Sequence, residues 1–333
     1  MSIVRAARVV TLLLPSLVPV AAAAQAGNPT DVLPHMAGTL KVTILSTMLA
    51  DNAGSLNTFG EWGFAALLES DGHQLLIDTG AHPETVVRNA EALNIKLCGV
   101  QDVVLTHYHR DHTSGLLTLR RACMTENPQA FSRAHVAPGI FWSRPNGASE
   151  GNQMIATRKD YLATGGVFVE HSGPAEIVPG VWVTGSIERK FPERNFASGC
   201  KVVTPAGLVE DNIPDDQSVF AVTPRGLVVI TGCGHAGVVN IVTAVTAAMP
   251  RERLYALIGG LHLYSATDQT LDWTADRLKG FGVQYLVGAH CTGIESVYRL
   301  RTQIGLTRQT AVVGAVGASF VLGEGIHAGA IAQ

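Results

Sequence analysis

Apolar residues fall along this chain in two rhythms. Short β-branched-rich or alternating runs, bounded by Gly, Asp or Pro, predict strands. They are Leu40–Ser46, Gly63–Glu69, Gln74–Asp78, Val103–Thr106, Val167–Glu170, Val181–Thr184, Ser218–Thr223, Gly226–Thr231, Leu254–Ile258 and Tyr285–Val287. Runs with apolar residues three and four apart predict helices at Pro83–Leu93, Leu116–Cys123, Val238–Ala248, Gln269–Lys279 and Ile294–Leu300. The first half holds hairpin-like pairs, such as Ala65–Glu69 and Gln74–Asp78 about an Asp71-Gly72 turn. The second half alternates helix and strand. Mixed sheets with helices outside predict an α/β class built on two packed sheets.

One run breaks this rhythm. Residues 1–24 carry only Arg5 and Arg8 as charges, then an apolar stretch from Val9 to Ala24 interrupted by Pro15 and Pro19. It is short for a membrane span, which needs about 20 apolar residues. It ends in Ala22-Ala23-Ala24, Gln25 and Ala26, the small-residue pattern of a secretory signal peptide. Arg5 and Arg8 are not adjacent, so no twin-arginine signal is present. Export to the periplasm or the medium is expected, with no membrane association after cleavage. Residues 25–37 read as a linker, 38–322 as one domain and 323–333 as a C-terminal tail.

Composition adjusts the picture in two ways. The 333 residues are 47% hydrophobic, and residues 1–24 account for part of that excess. With 24 Lys+Arg against 27 Asp+Glu the net charge is −3, which argues against a general nucleic-acid partner, since such a partner needs a basic surface. Five cysteines are too few for a disulfide scaffold, and their pairing is left open by sequence.

The candidate chemistry is concentrated in one place. The apolar Val103-Val104-Leu105-Thr106 runs into His107-Tyr108-His109-Arg110-Asp111-His112. On a strand, residues two apart share a side, so His107 and His109 can grip one ion. Asp111 and His112 can then swing towards a second. Imidazole and carboxylate ligands suit Zn²⁺, one or two ions, and also Fe or Mn. Two neighbouring ions can share one hydroxide whose pKa is lowered towards neutrality. Further histidines follow apolar strands: His235 after Leu227–Thr231, His262 after Leu257-Ile258 and His290 after Tyr285–Val287. Strand C-terminal ends are where α/β folds collect ligands, although one of the three, His262 by preference, could be an ordinary core histidine.

Other motifs are weaker. Asp78-Thr79-Gly80 has no second copy, as an aspartic-protease dyad would require. Gly147-Ala148-Ser149-Glu150-Gly151 fits G-x-S-x-G but lies in loop-like sequence, without the strand and helix of a nucleophile elbow. Arg189, Lys190 and Arg194, near Glu188 and Glu193, read first as a solvated loop and second as a cluster that could steer an anionic substrate. The long segment between Cys123 and Gly166 could be a substrate cap or a packing helix.

The chain resembles the metallo-β-lactamase superfamily. Within it, the chain is similar to the branch of archaeal dihydropterin–ribofuranosylaminobenzene phosphate synthases and their bacterial relatives. The matching pieces are Asp51-Asn52, Gly63-Phe64, Asp78-Thr79-Gly80, the Thr106–Gly115 block, Asp215-Asp216-Gln217, Thr231–Gly237, Gly259–Leu263 and His290–Gly293. They span nearly all of the chain after the linker. The resemblance implies an αββα sandwich, a four-layer arrangement, with a two-metal site at one edge. His107, His109 and His235 would hold one ion, and Asp111, His112 and His290 the other. Asp78 would be structural, turning the chain beneath the metal loop.

Three departures stand out. Many superfamily members place a His after the strand that here leads to Ser186-Ile187-Glu188. The common bridging Asp has no match, because Gly232-Cys233-Gly234 occupies its strand end. Gly234 stands where the branch usually has Ser. Cys233 could ligate as a thiolate, but the reading favoured here is a small buried residue.

The functional expectation is an exported metal-dependent hydrolase whose metal-bound hydroxide attacks an ester, lactone or phosphoester-type small molecule. Asp111 and His262 are the expected catalytic groups, His262 as hydrogen-bond donor or proton carrier. One alternative is a pterin-type synthase condensing a phosphorylated substrate. The other is a noncatalytic metal- or ligand-binding protein that kept the fold. The oligomeric state cannot be read from sequence.

Overall fold

A computed structural model describes residues 34–52 and 56–332. The expected signal peptide and the first part of the expected linker lie outside these residues. The remainder builds two large sheets. One has the strand order Gly325–His327, Ser319–Val321, Lys41–Ser46, Ala65–Ser70, His73–Ile77, Asp102–Val104, Arg133–Val136, Val167–Glu170. The other runs Ala311–Val313, Tyr285–Gly288, Leu254–Gly259, Gly226–Thr231, Ser218–Thr223, Val181–Val183, Ala175–Val178.

Both faces of the central strands are buried, because side chains alternate between two different cores. Ala66 and Leu68 face the layer between the sheets, while Ala65 and Leu67 face the helices Thr85–Ala92, Leu116–Cys123 and Met154–Ala163. In the second sheet Val228 and Ile230 point inward, and Leu227 and Val229 meet the helices Val238–Ala248, Asp268–Phe281 and Ile294–Ile304. Helix, sheet, sheet and helix thus form four layers, an αββα sandwich. Each Val, Leu or Ile removed from water in these layers stabilises the fold by about 1.5–3 kcal/mol.

Several elements depart from the sequence pattern. The strand expected at Val103–Thr106 is Asp102–Val104, so His107 and His109 are loop residues, and their convergence does not come from strand alternation. Helix Met154–Ala163 buries only Met154 and Tyr161, too sparse a stripe to show as periodicity. It packs in the core beside Phe131, Ile140 and Phe168, so this stretch is a packing helix rather than a cap. Within the expected tail, Gly325–His327 pairs antiparallel with Ser319–Val321, and the Ala332 carbonyl accepts from Val313 N–H. Gly147–Gly151 belongs to a small exposed hairpin, Pro145–Asn146 with Ser149–Glu150, and makes no elbow. Cys98 and Cys123 form a disulfide, while Cys200, Cys233 and Cys291 are free. No described helix is long and apolar enough to cross a membrane.

Candidate metal centre

The parallel strands Gly226–Thr231, Leu254–Gly259 and Tyr285–Gly288 end side by side. Just beyond those ends the chain presents His235, His262 and His290. The loop after Asp102–Val104, in the other sheet, brings His107, His109, Asp111 and His112 to the same place. Asp78 shapes that loop. It holds φ at +56°, and its carboxylate accepts from Thr106 N–H at 2.7 Å, Thr106 Oγ1 at 2.7 Å and His112 Nδ1 at 2.6 Å. A side chain at Gly232 would put its Cβ 2.1 Å from Thr106 Oγ1 and 2.5 Å from Asp78 Oδ2. Only glycine lets the two loops approach this closely.

Three imidazole nitrogens converge on one side of the centre. His107 Nε2 lies 2.9 Å from His109 Nδ1, and His235 Nε2 lies 3.2 Å from it. His235 Nδ1 donates to the Asn195 carbonyl, so its Nε2 carries a lone pair. Thr106 Oγ1 spends its proton on Asp78 and accepts from His107 Nδ1 at 3.1 Å, so His107 Nε2 carries one too. One N–H on His109 cannot satisfy both well, whereas a cation satisfies all three nitrogens. Nitrogens on one tetrahedral zinc stand about 3.3 Å apart, close to the spacing here. Burial pushes His107 and His235 well below the usual imidazole value and His109 down to about 4, so these ligands are neutral at pH 7.

A second set faces them. Asp111 Oδ2 lies 3.3 Å from His290 Nε2 and 3.7 Å from His112 Nε2. His290 is buried, and neither of its ring nitrogens has a well-aligned hydrogen-bond partner. Burial alone would raise the Asp111 pKa, but His112 and His290 hold it below the usual carboxylate range. Burial would lower His112, but Asp78 and Asp111 raise it; burial would lower His290, but Cys291 and Asp111 lift it to about 9.

Cys233 lies between the sets. Its Sγ is 3.1 Å from His112 Nε2, and it belongs both to the group Asp111–His112–Cys233–His290 and to the group His107–Cys233–His235. Cys233 is buried, as read from sequence, and it also stands between the two candidate ligand sets; a donor set of imidazoles, carboxylate and thiolate fits zinc.

Positioning groups whose role the sequence did not reveal hold the loops. Asp215 accepts from Tyr108 N–H at 2.8 Å and pairs with the buried Arg144, which also bonds Asp211 at 2.9 Å and stacks 3.5 Å above the Tyr108 ring. Asp216 accepts from Ala236 N–H at 2.8 Å, beside His235. Arg189 donates to the His235 carbonyl at 2.5 Å and to Asn212. It thus braces that turn rather than lying in a solvated loop. Asp215-Asp216-Gln217 was visible as a motif, but its role was not. The centre opens on a cavity of about 830 Å³ walled by residues 192–197, by His262 and Tyr264, and by Trp273 and Thr274 of helix Asp268–Phe281. Arg194 lines it, and among the described residues its carboxylate partner is Glu210, at 3.3 Å.

A four-layer sandwich with histidines, an aspartate and a cysteine gathered at its strand ends is an αββα protein with a candidate metal centre. Residues 63–126 match the family model of the metallo-beta-lactamase superfamily, which the chain resembles. Over 258 residues the chain is 28% identical to the 7,8-dihydropterin-6-methyl-4-(beta-D-ribofuranosyl)-aminobenzene-5'-phosphate synthase of Methanocaldococcus jannaschii, covering 75% of this chain and 87% of that protein. A solved metal-dependent hydrolase of the β-lactamase superfamily matches with a TM-score of 0.64 and 25% identity, over 80% of this chain and 93% of that one. Zn²⁺-bound PqqB from Methylobacterium extorquens shares the fold at a TM-score of 0.50 and 16% identity, over 84% of this chain and 99% of its own.

Proposed function

We propose that this chain is an exported metal-dependent hydrolase acting on an ester, lactone or phosphoester-type small molecule. The observation that carries the reading is the convergence of His107, His109 and His235 nitrogens without enough donors, beside a second ligand set, at the wall of a substrate-sized cavity. His107, His109 and His235 would hold one ion, and Asp111, His112 and His290 another, with Cys233 between. Bound divalent metal, Zn²⁺ above all, supplies a water of lowered pKa and polarises a substrate oxygen. The chain's own groups do the rest. Asp111 keeps its negative charge beside the reacting atoms. His262, in the cavity wall with its ring 4.5 Å from that of His235, donates a hydrogen bond to substrate or moves a proton. Arg194 offers charge to an anionic substituent. Export is consistent with the Cys98–Cys123 disulfide, since such bonds persist in oxidising compartments.

The test is turnover of an ester, lactone and phosphodiester panel by zinc-loaded protein. His109→Ala should lower kcat/KM at least about 100-fold with the circular dichroism spectrum unchanged. Metal analysis of protein purified without chelator that finds no transition metal sinks the reading. A second reading, a pterin-type synthase, is favoured by the likeness to the archaeal synthase. Condensation of a pterin with a phosphorylated partner, without hydrolysis, would establish it. N-terminal sequencing of secreted protein should start near Gln25; an intact Met1 would refute cleavage.

A further inference from the structure

Beside the two ligand sets lies a group of which the proposed reaction uses only Cys233 as a ligand. Cys233 Sγ stands 3.4 Å from Cys291 Sγ, and with His262 these residues form a triad whose ligand atoms all lie within 4.8 Å of one another. The two cysteines are 2% and 1% exposed, and His262 Nδ1 is buried with no hydrogen-bond partner. Each residue follows a different one of three neighbouring parallel strands, Gly226–Thr231, Leu254–Gly259 and Tyr285–Gly288. The backbone is pressed together to permit this. A Cβ at Gly260 would lie 2.2 Å from the Gly232 carbonyl oxygen and 2.9 Å from Cys291 Sγ. His262 itself holds φ at +51°, a left-handed conformation that strains a non-glycine residue. A strained histidine aimed at two touching thiols asks for a physical reason.

We propose that Cys233, His262 and Cys291 form a sulfur-rich cation position, suited to a thiophilic ion such as Zn²⁺ or Cu⁺, joined to the histidine centre through Cys233. Two thiolates bonded to one tetrahedral zinc at about 2.3 Å stand about 3.8 Å apart. The observed pair needs to open by only about 0.4 Å to reach that spacing. Closing to a disulfide, at about 2.05 Å between sulfurs, is a movement roughly three times larger. Ion binding releases one proton from each thiol to solvent and changes no oxidation state. A thiolate has lone pairs enough to serve two ions, so Cys233 can belong to this position and to its neighbour. Ligation through one ring nitrogen leaves the other nitrogen of His262 as an N–H donor, so its role at the cavity wall is kept.

The test uses the full chain in a Cys200→Ser background, stripped of metal and refilled with Co²⁺ as a probe. Thiolate ligation gives an intense near-ultraviolet charge-transfer band, and tetrahedral cobalt gives visible d–d bands. The band should be present in the parent and persist in His107→Ala, which removes only a nitrogen ligand of the histidine set. Cys291→Ser should cut it to about half and lower the bound cobalt by one ion per chain, because one of two thiolates is lost. His262→Ala should weaken cobalt binding about 10-fold or more while circular dichroism is unchanged. A parent without the band overturns the proposal, and so does a band indifferent to both Cys291→Ser and His262→Ala. A Cys233–Cys291 disulfide in the protein as purified also overturns it. The readout is absorption rather than turnover, so this result and the fate of the hydrolase reading are separable.

Discussion

Asp78 orients one ligand and the turn that delivers the others. Its carboxylate fixes the His112 tautomer, leaving Nε2 free, and anchors Thr106 one residue before His107. Asp78→Asn removes the charge and one acceptor. Metal affinity should fall about 10–100-fold in competition with a chromophoric chelator, with the fold retained. The imidazoles also differ in a way that pH exposes. Burial keeps His107, His109 and His235 neutral at pH 7, whereas His290 is raised to about 9 and must lose a proton before it can bind metal. Zinc uptake by the Asp111–His112–His290 set should therefore strengthen with pH between 6.5 and 9, by up to about tenfold per unit, then level off. The imidazoles of the histidine triad should add no slope over that window in a Cys233→Ser background. Calorimetric titration at pH 6.5, 7.5 and 8.5 separates the two phases, and equal slopes would refute the assignment. The same shift acts on the metal-free fold. A folded-state pKa above the unfolded 6.5 stabilises the chain fully below 6.5, and that contribution is lost as pH rises through about 9.

At the scale of elements, the metal loops are held by a buried ionic network rather than by regular structure. Arg144 is 4% exposed and carries the charges of Asp211 and Asp215, and Asp215 in turn holds Tyr108 N–H between the two histidines. Removing one partner strands buried charge, which costs about 3–5 kcal/mol. Arg144→Met should lower the urea midpoint accordingly and weaken metal binding together with it. A variant with unchanged stability but lost metal would show that the network tunes the site without supporting the fold. Arg144 itself could not be picked out beforehand. It lies in a Ser-Arg-Pro-Asn loop with no periodicity, and its partners are 67 and 71 residues away.

At the scale of the molecule, the centre ties one sheet to the other: His107–His112 follow a strand of the first, and His235 and His290 follow strands of the second. Metal that binds only the folded chain should stabilise it by about 2.7 kcal/mol at a hundredfold excess over Kd. Chelator should therefore lower Tm by roughly 5 °C or more, measured by scanning calorimetry at fixed protein concentration. A Tm insensitive to chelator would mean that the centre is empty or that it does not couple the sheets.

Much of this organisation is local and so was already written in the sequence. Apolar runs such as Gly226–Thr231 and Ser218–Thr223 match their strands residue for residue, because burial on both faces demands continuous hydrophobicity. The His107–His112 block stood out as candidate chemistry, since few sequences place so many ligand-type side chains in one turn. Contact between distant segments was not local, and only the tertiary structure decided it. Folding set the buried Cys233 3.1 Å from His112, paired it with Cys291 across 58 residues, and set Arg189 on the His235 carbonyl. It also moved the pairing of His107 and His109 from strand alternation to a turn clamped by Asp78 and Asp215. Residue type and period report what a segment buries; which polar atoms meet depends on how the loops of two sheets pack at one shared edge.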